Sequence, residues 1–311
     1  MPKLTEFTFT STNGRTEIHV RRWDPDGEIR GTVQIAHGIA EHASRYDGFM
    51  QFLAENGFVA AANDHLGHGK SVTDESELGF FAEHGGWDLV VGDMHKLHDI
   101  LFAENPSLPF FLFGHSMGSF LARTYIIRYP SELTGAIICG TGQQPSALVG
   151  AGSAMAKLVC TVSGPKHKSG LLNKTAFGKY NSSFVPVRTM FDWLSRDEAN
   201  VDRYMKDPLC GFVPSASLFR DMMGGIAFIS NADNIGKMRK EMPVLFISGD
   251  MDPVGENGKG VKRAYTAFQD AGMKDVKLIL YPDCRHELLN ELNKDEVMGD
   301  ILSWMQSKIA E

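Results

Sequence analysis

Six short apolar runs constrain this chain more than any other feature. TVQIAHG (32–38), FVAAAND (58–64), FFLFG (110–114), GAIICG (135–140), PVLFISG (243–249) and VKLILY (276–281) are almost continuously apolar rather than alternating. A strand of that kind has no face to offer water. It must be covered on both sides, which is the situation of a parallel sheet between two layers of helices. Helical stretches lie between the runs. YDGFMQFLAENG stops at Gly57, a stretch from about Gly86 to Glu104 ends before Asn105-Pro106, and Ser116 to Arg128 is stopped by Pro130. The first residues read differently: FTFTS and EIHVRRW alternate around Asn13-Gly14, as two half-exposed strands joined by a turn would. The expected fold is therefore an α/β domain with a mostly parallel, eight-stranded sheet and helices on both faces.

The strand rhythm breaks after Thr141 and returns only at PVLFISG. The expected organisation is one catalytic domain made of residues 1–142 and 240–311, with a helical insertion over 143–239. Two parts of the insertion are open to two readings each. SALVGAGSAMAKLVCTV (146–162) suits an amphipathic helix touching lipid, but its small residues favour a lid helix packed on its own domain. DPLCGFVPSASLFRDMMGGIAFI (207–229) suits an apolar ligand pocket or a plain hydrophobic core equally well.

Composition narrows the partners. The formal net charge of −7 at pH 7 argues against nucleic acid, whose phosphates require a basic surface. Cys139, Cys160, Cys210 and Cys284 lie far apart with no C-x-x-C pair, and read as buried free thiols in a reducing compartment. MPKLTEFTFTS has no basic segment followed by an apolar one, so no secretory signal is expected, and no run of about 18 apolar residues offers a membrane span. A cytoplasmic protein is the expectation.

The chemistry concentrates at Gly114-His115-Ser116-Met117-Gly118, a G-x-S-x-G pattern between strand FFLFG and a helix. Such a turn is sharp, and a side chain at Gly114 or Gly118 would strike the neighbouring strand and helix. The turn would hold the Ser116 hydroxyl above the carboxyl edge of the sheet. A serine hydroxyl needs a base, and the base needs an orienting acid. In chain order the acid should come next and the histidine last, on loops after later strands. PVLFISG leads into Asp250 and Asp252, and VKLILY leads into Asp283 and His286. Asp252 is favoured because it lies further beyond the strand and precedes the stiffening Pro253; Asp250 would brace the loop, and Asp283 is too close in sequence to His286. The oxyanion donors should be the backbone N–H groups of Met117 and, from the loop His37-Gly38-Ile39, of Ile39.

Other histidines invite a metal reading. His95 and His98 are three apart on a helix, and His65 and His68 flank Leu66-Gly67, but neither pair has a third ligand at useful spacing, so no metal and no cofactor are expected. Glu41 and Arg45 are expected to brace the oxyanion loop by a salt bridge rather than touch substrate.

HGIAEHASRY (37–46), DHLGHGKS (64–71) and GHSMG (114–118) together resemble the monoglyceride lipase and lysophospholipase group, with its serine aminopeptidase-like relatives, of the α/β-hydrolase superfamily. The likeness covers roughly residues 30–142 and 242–290. It implies an α/β-hydrolase fold with a helical cap, a Ser116–His286–Asp252 triad and an oxyanion donor at Ile39. It also implies cleavage of carboxylic esters of small molecules or lipids through an acyl-enzyme. DHLGHGKS would then be a bracing turn. The chain departs from the group at Ser119, where relatives often carry glycine, and in the cap, which matches only loosely. Many relatives carry arginine where this chain has Leu66. The main rival is a proline-type or other aminopeptidase, for which Glu198, Asp202 and Asp207 could seat an ammonium group. The remote rival is a ligand-binding pseudoenzyme.

Overall fold

The computed structural model describes residues 1–309. Among these residues one sheet of eight strands runs in the order β1-β2-β4-β3-β5-β6-β7-β8. The six apolar runs became β3 (Gly31–Ala36), β4 (Phe58–Asn63), β5 (Phe110–His115), β6 (Gly135–Cys139), β7 (Val244–Gly249) and β8 (Val276–Tyr281), all parallel to one another. β3 to β7 are buried along their whole length, whereas β8, at the edge, is only partly so. β1 (Lys3–Thr10) and β2 (Glu17–Asp24) form an antiparallel hairpin, and β2 joins the sheet antiparallel to β4. The sheet is thus mostly parallel with an antiparallel edge.

Period-two alternation sends neighbouring residues into two different cores. Val33, Ile35, Phe111 and Phe113 point to one face, where they meet α1 (Asp47–Glu55) and α10 (Lys294–Ile309). Phe110, Leu112, Ala136 and Ile138 point to the other, covered by α2 (Gly86–Glu104), α3 (Met117–Arg128) and α9 (Lys259–Asp270).

Between β6 and β7 the chain forms α4 (Ser146–Ser163), α5 (Gly170–Phe177), α6 (Glu198–Lys206), α7 (Ala216–Ser230) and the short α8 (Ala232–Ile235). α7 is not a separate layer. Leu218, Met222 and Ile226 join the same core as α2 and α3, and a Cβ at Gly225 would lie 2.2 Å from the Trp87 ring. α4 packs over α7 through Val149 and Ala156, while Leu148, Leu158 and Val162 are exposed. Among the described residues it is the one helix long and apolar enough to cross a membrane, with a mean hydropathy of 1.3 over 18 residues. Its apolar character is broken by serines, glycines and Lys157, so the sequence offers no uninterrupted apolar run there. The expectation of four buried thiols needs correction: Cys139 and Cys284 are buried, but Cys160 and Cys210 are partly exposed on the insertion, and all four are free.

Candidate active site

The turn between β5 and α3 is strained at one residue. Ser116 has φ 54° and ψ −121°, a conformation a non-glycine residue adopts only where its surroundings enforce it. The enforcement is visible on both sides. A Cβ at Gly114 would sit 2.3 Å from the Gly118 carbonyl oxygen, and one at Gly118 would sit 2.0 Å from that of Ala36. The helix start therefore lies directly against β3, and Ser116 N donates to Cys139 O of β6 at 3.0 Å. Ser119 is fully buried, and its hydroxyl donates back to Ser116 O at 2.6 Å.

The loops after β7 and β8 meet just as tightly. A Cβ at Gly249 would lie 2.0 Å from Cys284 O, so these two loops run side by side. Asp250 spans them: its Oδ1 accepts from Asp283 N at 2.8 Å. Asp252 points inward. Its Oδ2 lies 3.0 Å from His286 Nδ1, both side chains are buried, and its Oδ1 accepts from Val254 N at 2.9 Å. The His286 ring is held between the rings of His115 and Trp193, at centroid distances of 4.6 and 5.1 Å. Asp283 stands outside the pair, with φ 60° on an exposed turn.

Ser116 and His286 open into one cavity of about 1260 Å³. Ile39 and Met117 lie on its wall, and apolar side chains including Phe120, Phe177 and Met222 line the rest. Met117 is the first residue of α3, where backbone N–H groups lack a partner within the helix. Of the opposite loop, Gly38 N is already taken by Glu41 Oε1 at 2.5 Å, and a Cβ at Gly38 would lie 3.1 Å from that of Ser116. Ala40, with φ 54°, also lies on the cavity wall.

DHLGHGKS lies under that loop. His65 N donates to His37 Nε2 at 2.9 Å, and the Asp64 carboxylate accepts from Ala43 N and Lys70 N, both at 2.8 Å. Burial works against the Asp64 carboxylate, but the His19 hydrogen bond, nearby His37 and those two amides hold its pKa down at about 2. His37, His65 and His68 are fully buried with their rings tilted or edge-on to one another, and burial pushes all three below the usual histidine range.

Arg45 spans two carboxylates. It donates to Glu41 Oε2 at 2.7 Å and to both oxygens of Glu287 at 2.5 and 2.7 Å. Glu41 also accepts from Tyr46 at 2.9 Å and faces His115 Nδ1 at 3.2 Å. Burial opposes both charges in that pair, but their hydrogen bond and the neighbouring charges together outweigh it: the carboxyl is held well below the ordinary range and the imidazole above it. Asn200 of α6 donates to Glu287 at 2.8 Å, and Tyr204 of α6 donates to Ala40 O at 2.9 Å. Sequence reasoning found Glu41 and Arg45 but not Glu287, His115, Asn200 or Tyr204. Of these only Glu287 carried a signal, as the acid next to His286.

The acids considered for an ammonium group lie elsewhere. Glu198 and Asp202 pair with Arg188 on the surface, and Asp207 bonds His42. The acids on the cavity wall are Glu41 and Glu287, both engaged by Arg45. The His95–His98 pair also gains neighbours the spacing did not reveal: Asp99 and Glu132 lie within 3.3 Å of His98 and His95 respectively.

The sheet order and the elbow at the end of β5 make this an α/β-hydrolase, and a carboxyl esterase from Bacillus coagulans superposes with a TM-score of 0.92. That structure, described as highly thermostable and in complex with glycerol, is 31% identical and aligns over 98% of this chain and 99% of its own. The family described as serine aminopeptidase, S33, matches residues 27–293, and the chain belongs to it. It is a hydrolase. The monoacylglycerol lipase of Mycolicibacterium smegmatis is 30% identical over 98% of both chains. The mouse monoglyceride lipase is 26% identical over 94% of this chain and 88% of its own.

Proposed function

We propose that this protein hydrolyses carboxylic esters with a long acyl chain and a small alcohol, monoacylglycerols first among them, through an acyl-enzyme on Ser116. The observation that carries the reading is the buried His286–Asp252 hydrogen bond at 3.0 Å beside a strained serine, both opening into one apolar cavity. His286, fixed by Asp252, takes the Ser116 proton as the hydroxyl attacks the ester carbonyl. The Ile39 and Met117 amides hold the oxyanion, an interaction worth about 3 kcal/mol per donor. His286 then protonates the leaving alcohol, and water repeats the sequence to release the acid. Gly114 and Gly118 serve as the small residues that let the elbow form. A large, mostly apolar cavity suits an acyl chain. The relatives named for monoacylglycerol and monoglyceride hydrolysis support the leaving group. Peptide hydrolysis is disfavoured because Arg45 already neutralises the cavity's acids, leaving no free carboxylate for a substrate ammonium.

In the same reading, residues 1–142 and 240–311 form the catalytic domain and 143–239 the cap. The exposed Leu148, Leu158 and Val162 of α4, with the exposed Val187 and Met190 that line the same cavity as Leu148, are the face that touches a lipid surface transiently. Four thiols without a disulfide suit the reducing cytoplasm. The test is a panel of monoacylglycerols of graded chain length, lysophospholipids and aminoacyl anilides. Monoacylglycerols should give the highest kcat/KM; preference for the anilides would overturn the reading.

A further inference from the structure

We propose that His42, Asp207 and Cys210 form a binding site for a soft divalent cation of the zinc class, joining the cap to the loop that carries Ile39. His42 follows that loop, and Asp207 and Cys210 lie on the turn after α6, 165 residues further along the chain, so no spacing in the sequence could reveal the set. One donor atom from each residue lies within 4.8 Å of the other two. Imidazole, carboxylate and thiol together are a donor set that suits zinc better than magnesium or calcium.

The orientation of each donor is fixed by a further bond. His42 Nε2 faces Asp207 Oδ2 at 2.8 Å, a hydrogen bond whose proton sits on Nε2 without the ion; for an ion to take its place the proton moves to Nδ1, 3.0 Å from the Ser44 hydroxyl that accepts it. Asp207 Oδ1 accepts from Leu209 N at 2.9 Å, which turns Oδ2 toward His42 and the place an ion would take between them. Cys210 N donates to Asp207 O at 3.1 Å, closing the turn that brings the sulfur beside the carboxylate. The Asp207 side chain is 32% exposed, which gives an ion a path from solvent. On binding, a metal–sulfur bond forms, the thiol proton passes to water, and no oxidation state changes. Three protein donors leave a fourth position for water. The ion would reinforce a seam already made by Gly211 N and the Tyr204 hydroxyl, both donating to Ala40 O at 2.9 Å.

The test uses the full chain, stripped with a chelator and titrated with zinc against a chromophoric competitor, then with cobalt(II) alone. One ion per chain should bind, and the cobalt form should show a thiolate-to-metal absorption band. Cys210→Ala, which removes a ligand itself rather than a ligand's hydrogen-bond partner, should weaken zinc about 100-fold or more and abolish that band while keeping metal-free ester turnover; Cys210→Ser takes its place if the alanine variant does not fold. His95→Ala should change nothing, because His95, His98 and Asp99 form a separate group on α2 without sulfur. Equal affinity in the Cys210 variants, a cobalt form without the thiolate band, no stoichiometric binding, or binding lost in His95→Ala would each overturn the proposal.

Discussion

Arg45 donates to both oxygens of Glu287, the residue that follows His286, and also to Glu41, which accepts from Gly38 N. One buried guanidinium thus ties the loop carrying Ile39 to the loop carrying His286. Removing it leaves Glu287 buried without a counter-charge and Glu41 with His115 alone, at a cost of about 3–5 kcal/mol. Arg45→Met should lower the midpoint of urea unfolding accordingly. A variant as stable as the wild type would show that the pair contributes nothing.

The elbow glycines give a sharper contrast. Gly118→Ala places a methyl 2.0 Å from a backbone oxygen of β3, which cannot swing away. Gly150, in the exposed part of α4, has nothing within 4 Å of such a methyl. Gly118→Ala should cost at least about 3 kcal/mol, whereas Gly150→Ala should stabilise by about 0.5–1 kcal/mol. Thermal unfolding of the two variants side by side measures both.

Asp64 predicts an acid limb to the stability. Its folded pKa of about 2 lies below the ordinary 3.8, so its contribution is complete above 3.8 and is lost as pH falls through 2. The difference corresponds to about 2 kcal/mol. Asp64→Asn should therefore be less stable than the wild type at pH 6, with the gap narrowing between pH 4 and pH 2 in denaturation series. A gap that does not change with pH would point to lost packing instead.

The lipid-facing role of α4 is tested by charge. Leu158→Glu and Val162→Glu lie on its exposed face and should reduce co-sedimentation with phosphatidylglycerol vesicles several-fold. Turnover of a short soluble ester should stay unchanged. Vesicle binding that survives both substitutions would place lipid contact elsewhere.

Much of the scaffold was legible because burial on both faces leaves a plain mark: the runs at 32–38 and 110–114 could be little else than central strands. The places of Ser116, Asp252 and His286 could be read because each follows a strand and the sheet gathers strand ends along one edge. What stayed hidden depends on contacts across long separations. Arg45 and Glu287 are 242 residues apart, and nothing in either neighbourhood announces the other. The depth of α7 in the main core was equally invisible, since its Phe and Met residues suit a pocket and a core alike. Asp99 beside His98 escaped because spacing on one helix was weighed without the rotamers that bring the groups together.

The central claim is that Ser116 is made reactive by His286 under the hold of Asp252. The most direct measurement is covalent labelling with a fluorophosphonate, followed by peptide mass analysis and by turnover of the Ser116→Ala variant. A single adduct on the peptide containing Ser116, with turnover reduced about 10⁴-fold or more in a variant that keeps its fold, is the predicted result. An adduct on another residue, or ester hydrolysis undiminished in Ser116→Ala, would contradict it.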